Sequence, residues 1–301
     1  MTWQEIIDLL SSSILDDTDT DRPLWSVSEK VFYANEAENE ICSECMVIKD
    51  ETTTSICNIK LLSNVGSYAM SEKIVNVISG RSSDTGSPYT EKDENYLDHR
   101  VSNWRAGTGT PYIMIPDAYT GYITFYPKFN TDGEVIGVSN ISFAVTTNTI
   151  TKPLETFTAH YAVGDEINIS GTTLNNGYFT LATVGTTTMT TVGALATEDL
   201  KSATLRKVED TALLVVNRLP ATPLTTATIS TASPEIKSSF HGYLLDGMAK
   251  RAYLKQDSEG YDKNKAKYHK DLFEESKGKI NAQRLRMHNY DHTATPRAGC
   301  L

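Results

Sequence analysis

A chain of 301 residues with a formal charge of −10, 39% apolar and 22% charged residues can hold one large domain or two smaller ones, and it is too apolar for disorder to be the default. The acidic balance argues against broad nonspecific wrapping of nucleic acid, which draws its free energy from Lys and Arg neutralising phosphates. Four cysteines in this length do not make a disulfide scaffold and are expected to be reduced. No run of about eighteen apolar residues marks a membrane anchor, and no charged-then-apolar leader opens the chain. The expectation is a protein made and folded in the cytosol.

In chain order, Trp3, Ile6, Ile7, Leu10 and Ile14 predict a short amphipathic helix that ends in the acidic stretch Asp16 to Asp21. A second helix starts at Ser26-Val27-Ser28-Glu29, where Ser26 and Glu29 fit a reciprocal capping box. Val27, Val31, Ala34, Ile41, Cys42 and Cys45 share one face of it, and Glu36, Glu38, Asn39, Glu40 and Glu44 are assigned to the outside. From Ile56 the apolar period changes to two. Cys57 to Leu61, Ile74 to Ile78, Tyr112 to Ile115, Gly121 to Tyr126 and Val135 to Val138 read as a small antiparallel sheet, with a loop-rich excursion around residues 81–105.

Composition shifts near Thr146 to a Thr- and Gly-rich stretch with strands at Asp165 to Ser170, Tyr178 to Val184, Met189 to Val192 and Ala203 to Arg206, and a hairpin turn at Asn175-Asn176-Gly177. Strand-like sequence on both sides, Ile136 to Phe143 before and Ala212 to Val216 after, suggests a module inserted into a pre-existing sheet. The division read from this pattern is residues 1–145 with 208–301 as one domain, 146–207 as an inserted all-β module, and 287–301 as a C-terminal arm. The fold class is α+β: a helical bundle of N-terminal helices and a C-terminal helical hairpin, with a small antiparallel sheet and the insert.

The hairpin opens at Ser233-Pro234-Glu235-Ile236, with Ser233 as cap, Pro234 in the first turn and Glu235 against the helix dipole. Phe240, Tyr243, Leu244 and Gly247 share a face suited to helix packing or contacts in a ring, and Gly247 permits close approach of another backbone. After a turn at Asp257 to Gly260, a polar helix from about Asp262 to Arg286 carries only a narrow stripe of Ala266, Phe273 and Ile280, seven residues apart. Residues 236–301 carry a net charge of +5 and the preceding 235 carry −15. Such polarity suits stacking with copies of itself or binding an acidic neighbour.

Catalytic constellations are not legible. Cys42-Ser43-Glu44-Cys45 has no second ligand pair to complete a zinc site and reads as buried thiols. No nucleophile elbow, P-loop or dinucleotide fingerprint is present, so no enzyme activity, cofactor or metal is expected. Asp93, Glu94 and Asp98 read as surface carboxylates serving solubility. Phe157, Tyr161, Tyr178 and Phe179 could form a sugar-stacking platform, but alternating strand positions favour a core role.

Several words of the chain resemble the head-to-tail adaptor (connector) family of tailed bacteriophages. They are Trp25-Ser26 through Asn35-Glu36-Ala37 with Glu40 and Cys42, then Ile123 to Pro127, Leu219-Pro220, Pro234-Glu235-Ile236, His241, Leu244, Ala252-Tyr253 and Asp257. The resemblance implies a structural virion protein in the neck between capsid and tail, assembled in the host cytoplasm. It implies a homo-oligomeric ring, usually of twelve subunits, between the portal protein and the next tail component (nozzle, stopper or tail tube protein). DNA passes through such a ring without sequence-specific binding. It also makes the C-terminal arm a portal-docking segment, with His288, Tyr290, His292, Pro296, Arg297 and Leu301 as its contact residues. The alternative is a sugar- or receptor-binding β module of a phage particle.

Overall fold

The structure is a computed structural model that describes all residues except 20, 118–119, 131–133, 154, 256–259 and 294–301; the side chains of 134–140, 199–201 and 287–293 also lie outside the description. The elements in chain order are α1 (Trp3–Leu10), α2 (Val27–Cys45), β1 (Lys49–Asp50), α3 (Thr54–Cys57), β2 (Asn58–Leu62), β3 (Ser67–Ala69), β4 (Ile74–Ser82), β5 (Thr90–Glu91), α4 (Glu94–Arg100), β6 (Ile113–Asp117), β7 (Tyr122–Tyr126), β8 (Glu134–Ala144), β9 (Thr149–Thr151), β10 (Glu166–Ser170), β11 (Gly177–Val184), β12 (Thr188–Thr191), β13 (Glu198–Arg218), α5 (His241–Ala252) and α6 (Lys263–Thr293). The fold mixes helices with a large curled antiparallel sheet. Two compact units emerge. One comprises residues 1–50, 73–76 and 216–301; the other comprises 51–72 and 77–215.

In the first unit, α1, α2, α5 and α6 share one apolar core that includes Ile6, Leu10, Trp25, Ala34, Ile41, Leu244, Met248, Phe273 and Ile280. Both α1 and α2 begin in capping boxes, Thr2 with Glu5 and Ser26 with Glu29, which satisfy amides that the first helical turn leaves free. Val27, assigned to the core face, is exposed at the first position of α2, whereas Val31, Ala34, Ile41, Cys42 and Cys45 are buried. The Ser233-Pro234-Glu235-Ile236 start is also corrected. Those residues are irregular, a 3-10 turn follows at Ser238–Phe240, and α5 begins only at His241 without a side-chain cap. The amides of Glu235 and Ile236 donate instead to the Glu38 carboxylate, at 2.7 and 3.3 Å. That partner removes the need for a helical cap.

α6 extends past the expected end near Arg286 to Thr293, so the first part of the predicted arm is helical backbone. Its stripe is as read, since Ala266, Phe273 and Ile280 are all buried. The turn expected at 257–260 falls largely outside the described residues.

In the second unit the expected single small sheet is divided. β3, β7, β6 and β5 form a four-stranded sheet in which β5 and β6 run parallel, while β2 and β4 pair with β13. β13 is one strand of 21 residues, where the sequence pattern suggested two separate strands at 203–206 and 212–216. Its N-terminal part pairs with β8 on one side and β10 on the other. The order β13-β10-β11-β12-β9-β8 therefore returns to β13, which leaves this ring of six strands without an open edge. Its interior is filled by Ile141, Phe143, Ile150, Phe157, Ile167, Ile169, Leu181, Met189 and Leu205.

The apolar filling begins with Ile141 and Phe143 on β8, upstream of the 146–207 boundary. Entry and exit of the ring lie together, because the consecutive amides of Ser63 and Asn64 donate to Lys207 and Phe129 carbonyls at 3.1 and 3.2 Å. Deleting residues 130–206 and joining Phe129 to Lys207 through a short glycine-serine linker should preserve the helical circular-dichroism signal. Deleting 147–207 instead leaves β8 unpaired with Ile141 and Phe143 uncovered, and should yield aggregated protein. Equal solubility of the two deletions would contradict this boundary.

Candidate docking surface

The helices that carry the predicted docking residues are tied to α2 by two carboxylates with opposite electrostatics. Glu40 accepts from Lys250 at 2.7 Å, from Arg251 at 2.7 Å and from Lys277 at 3.0 Å. Burial alone would raise its carboxyl, but Lys250, Lys277 and Arg251 hold it down at about 2. Lys277, whose side chain is 5% exposed, reaches Glu44 and Glu274 as well, at 2.7 and 2.9 Å. Burial opposes its charge, yet the three carboxylates raise its affinity for the proton. Lys250 and Lys277 also lie 4.3 and 5.3 Å from the centroid of the Phe273 ring, so the ring shares in holding both ammonium groups.

Glu38, two residues earlier, is 4% exposed and has no cation beside it among the described residues. Burial pushes its carboxyl up to about 7; the Ile236 and Glu235 amides pull the other way, and the Glu235 charge adds to the rise. Glu235 is occupied elsewhere, bridging Arg218 at 2.6 Å and accepting from the Ala221 amide at 2.8 Å. Arg218 also pairs with Asp50. Asn35 completes the attachment: its side chain accepts from the Leu224 amide and donates to the Leu224 carbonyl, at 2.8 and 2.9 Å. The irregular segment between β13 and α5 is thus fastened to α2 by Asn35 and Glu38, and to the end of β13 by Arg218.

The predicted packing residues meet within one chain. Phe240, Leu244, Gly247, Phe273 and Ile280 are buried in the helical core, and Tyr243 packs partly buried against it. They serve helix packing here. What approaches Gly247 is a ring and a methyl group, not a backbone: a Cβ there would sit 2.7 Å from Phe273 Cε2 and 2.9 Å from Ala37 Cβ. Of the predicted docking residues, His288, Tyr290 and His292 lie on the α6 backbone, with side chains outside the described residues. Pro296, Arg297 and Leu301 lie wholly outside them.

The outward side of α6 is polar and exposed. Lys263, Lys265, Lys267, Lys270, Tyr261 and Tyr268 are all exposed, while His269 is held at 2.8 Å by Asp246. The other candidates resolve as packing groups. Cys42 and Cys45 are fully buried, and burial raises both thiols, which leaves them mostly protonated and poor nucleophiles. Asp93 caps α4 by accepting from the Tyr96 amide, and Asp98 accepts from the Trp104 indole at 2.8 Å and from Arg105 at 3.0 Å. Phe157 and Tyr161 are buried and Phe179 packs against the same core, whereas Tyr178 faces outward beneath Lys60. Among the described residues no group of three His, Cys, Asp or Glu could hold a metal ion, and no described helix is long and apolar enough to cross a membrane.

Two measurements check these contacts. Gly247→Ala should lower stability by about 1–3 kcal/mol, because the added methyl overpacks the Phe273–Ala37 contact; an unchanged melting temperature would contradict that packing. The two carboxylates predict a pH optimum. Glu38 takes up its proton more readily folded than unfolded, so its contribution is complete below the ordinary value of 4.5 and is lost as pH rises through about 7, a difference of at most on the order of 3 kcal/mol. Glu40 acts oppositely, contributing fully above 4.5 and losing its contribution as pH falls to about 2. Thermal stability should peak near pH 5, and Glu38→Gln should flatten the decline between pH 5 and 8. An equally steep decline in that variant would refute the assignment.

No family model matches the chain, and no curated protein matches it. Among solved structures, the phage phi92 endosialidase is similar at 19% identity with a TM-score of 0.20, over 32% of this chain and 16% of its own length.

Proposed function

We propose that the chain is a head-to-tail adaptor subunit of a tailed bacteriophage, a structural protein that forms a ring between the portal and the next tail component and continues the DNA channel. One observation carries this reading. The scattered words that resemble the connector family include many of the residues that bind one another in the helical unit. The Trp25 indole donates to the Ala252 carbonyl at 3.0 Å and its ring meets Tyr253 edge-on. Glu40 holds Lys250 and Arg251 beside it. The His241 ring nitrogen lies 3.1 Å from the Ile236 carbonyl oxygen, and Asn35 grips the segment that leads from Leu219-Pro220 to Pro234. The Trp25 and Ala252 words, 227 residues apart in the chain, thus meet in one core.

On this reading the helical unit is the adaptor part, with its four helices as a bundle. The ring of six strands is an addition to it. The C-terminal end of α6 and the residues beyond it face the portal, with twelve copies in the ring.

Purified chain mixed with its cognate portal should give stacked rings in negative stain and should co-sediment with the portal at moderate salt. Truncation after Met287 should leave the helical signal and melting temperature nearly unchanged and weaken portal attachment at least ~tenfold, about 1.4 kcal/mol. Failure of the full chain to co-sediment would overturn the adaptor reading; equal binding by the truncated chain would overturn the role of the arm alone.

A further inference from the structure

A cleft of about 950 Å³ in the second unit is lined by Glu91, Asp93, Glu94, Asp117, Tyr96 and Tyr122 among others. Four carboxylates face it against one lysine, Lys92. That lysine already demonstrates the chemistry of the wall, since its ammonium nitrogen sits 4.8 Å from the centroid of the Tyr96 ring. Tyr122, 54% exposed on β7, offers a second ring with no cation over it among the described residues. Glu91 has no ion pair among the described residues, and Glu94 has only a 3.4 Å contact with the exposed Arg105. Carboxylates beside open tyrosine rings suit ammonium groups, through charge and through attraction to the ring face.

The same chain carries matching cations. Lys263, Lys267 and Lys270 stand at i, i+4 and i+7 on α6, which places them on one side of the helix. All three are exposed and none has an acidic partner among the described residues. The lysines further along α6 differ in this respect: Lys277 is enclosed by three carboxylates and Lys279 pairs with Glu275 at 2.7 Å. Among the described lysines of α6, those of its first part are the ones without a carboxylate partner.

We infer that the acidic tyrosine-lined cleft of one copy receives the Lys263–Lys267–Lys270 side of α6 from a second copy of this chain. The contact is heterologous, with different surfaces on the two sides, and such a contact repeats around a ring where the rotation closes. This rests on the ring reading and assigns one of its contacts. Being polar and exposed at its rim, it is screened by salt, and it favours correct register more than tight binding.

Sedimentation velocity of the full-length chain without portal tests it. Wild-type protein should self-associate at about 50 mM salt and dissociate toward 0.5 M, where the screening length falls to roughly 4 Å. The triple variant K263E/K267E/K270E and the double variant E91K/E94K should each lose at least ~tenfold in association at low salt, with unchanged circular dichroism. Mixed in equal amounts they should associate again, because reversed lysines meet reversed carboxylates while native lysines of one variant meet the native cleft of the other. The milder E91Q/E94Q variant should weaken association without the repulsion that reversal introduces. A monomeric wild type at low salt, variants that associate as the wild type does, or a mixture that stays monomeric would each overturn the inference. Portal co-sedimentation is read separately, so failure of the ring reading and failure of this contact remain distinguishable.

Discussion

The helical unit depends on α2 accepting charge into its flank. Glu40 gathers two lysines and an arginine from α5 and α6, so three helices distant in the chain are joined around one carboxylate. Removing charges from water costs several kcal/mol per ion, and only good geometry with several partners offsets it. Here the partners are arranged so that no ion is left alone: Glu40 has three cations and Lys277 has three anions. Such a cluster is weak evidence of net stabilisation, but it penalises any register in which one member is displaced. A slip of α6 by a single turn would bury Lys277 away from its carboxylates and withdraw Phe273 from the notch at Gly247.

Helix periodicity and capping made much of this unit legible. The Ser26–Glu29 capping box and the 266–273–280 stripe both stand where the pattern put them. The pattern assigns Glu38 and Glu40 to the outside, but Glu38 is buried, and the contrary signal is present in the sequence. Glu38 lies four residues after Ala34 and three before Ile41, inside the buried register, and Lys277 lies between Phe273 and Ile280. A charged residue on an apolar stripe is normally assigned to solvent, because its cost can be judged only once its partners are known. Those partners are supplied by segments more than 190 residues away. Ser233-Pro234-Glu235 misled for the same reason, since a good local helix start was overridden by the acceptor that Glu38 offers its amides.

For the sheets, short strands were found but their pairing was not. Alternation specifies which residues face inward, yet it is silent on which neighbour a strand takes. β8 resembled the strands before it and was grouped with them, while its partners are β9 and β13. β13 was divided because its middle, Lys207 to Thr211, is polar; those residues continue a strand whose hydrogen bonds pass from the ring to β2. The polar surface and apolar spacing of α6 were legible, whereas the cleft depends on the parallel pairing of β5 with β6, which no local pattern announces.

The span between α2 and its partners has a consequence for synthesis. Glu40 and Lys277 are separated by 237 positions, so at about 5–20 residues per second a ribosome needs roughly ten to fifty seconds to supply the second after the first. Until α5 and α6 are made, the face of α2 that receives them, with Ala37, Ile41 and Cys42, lacks these partners, while the six-stranded ring, contiguous in the chain between β8 and β13, can close as soon as β13 emerges. The nascent chain therefore completes its later-starting unit first and carries an open helical half until α6 arrives.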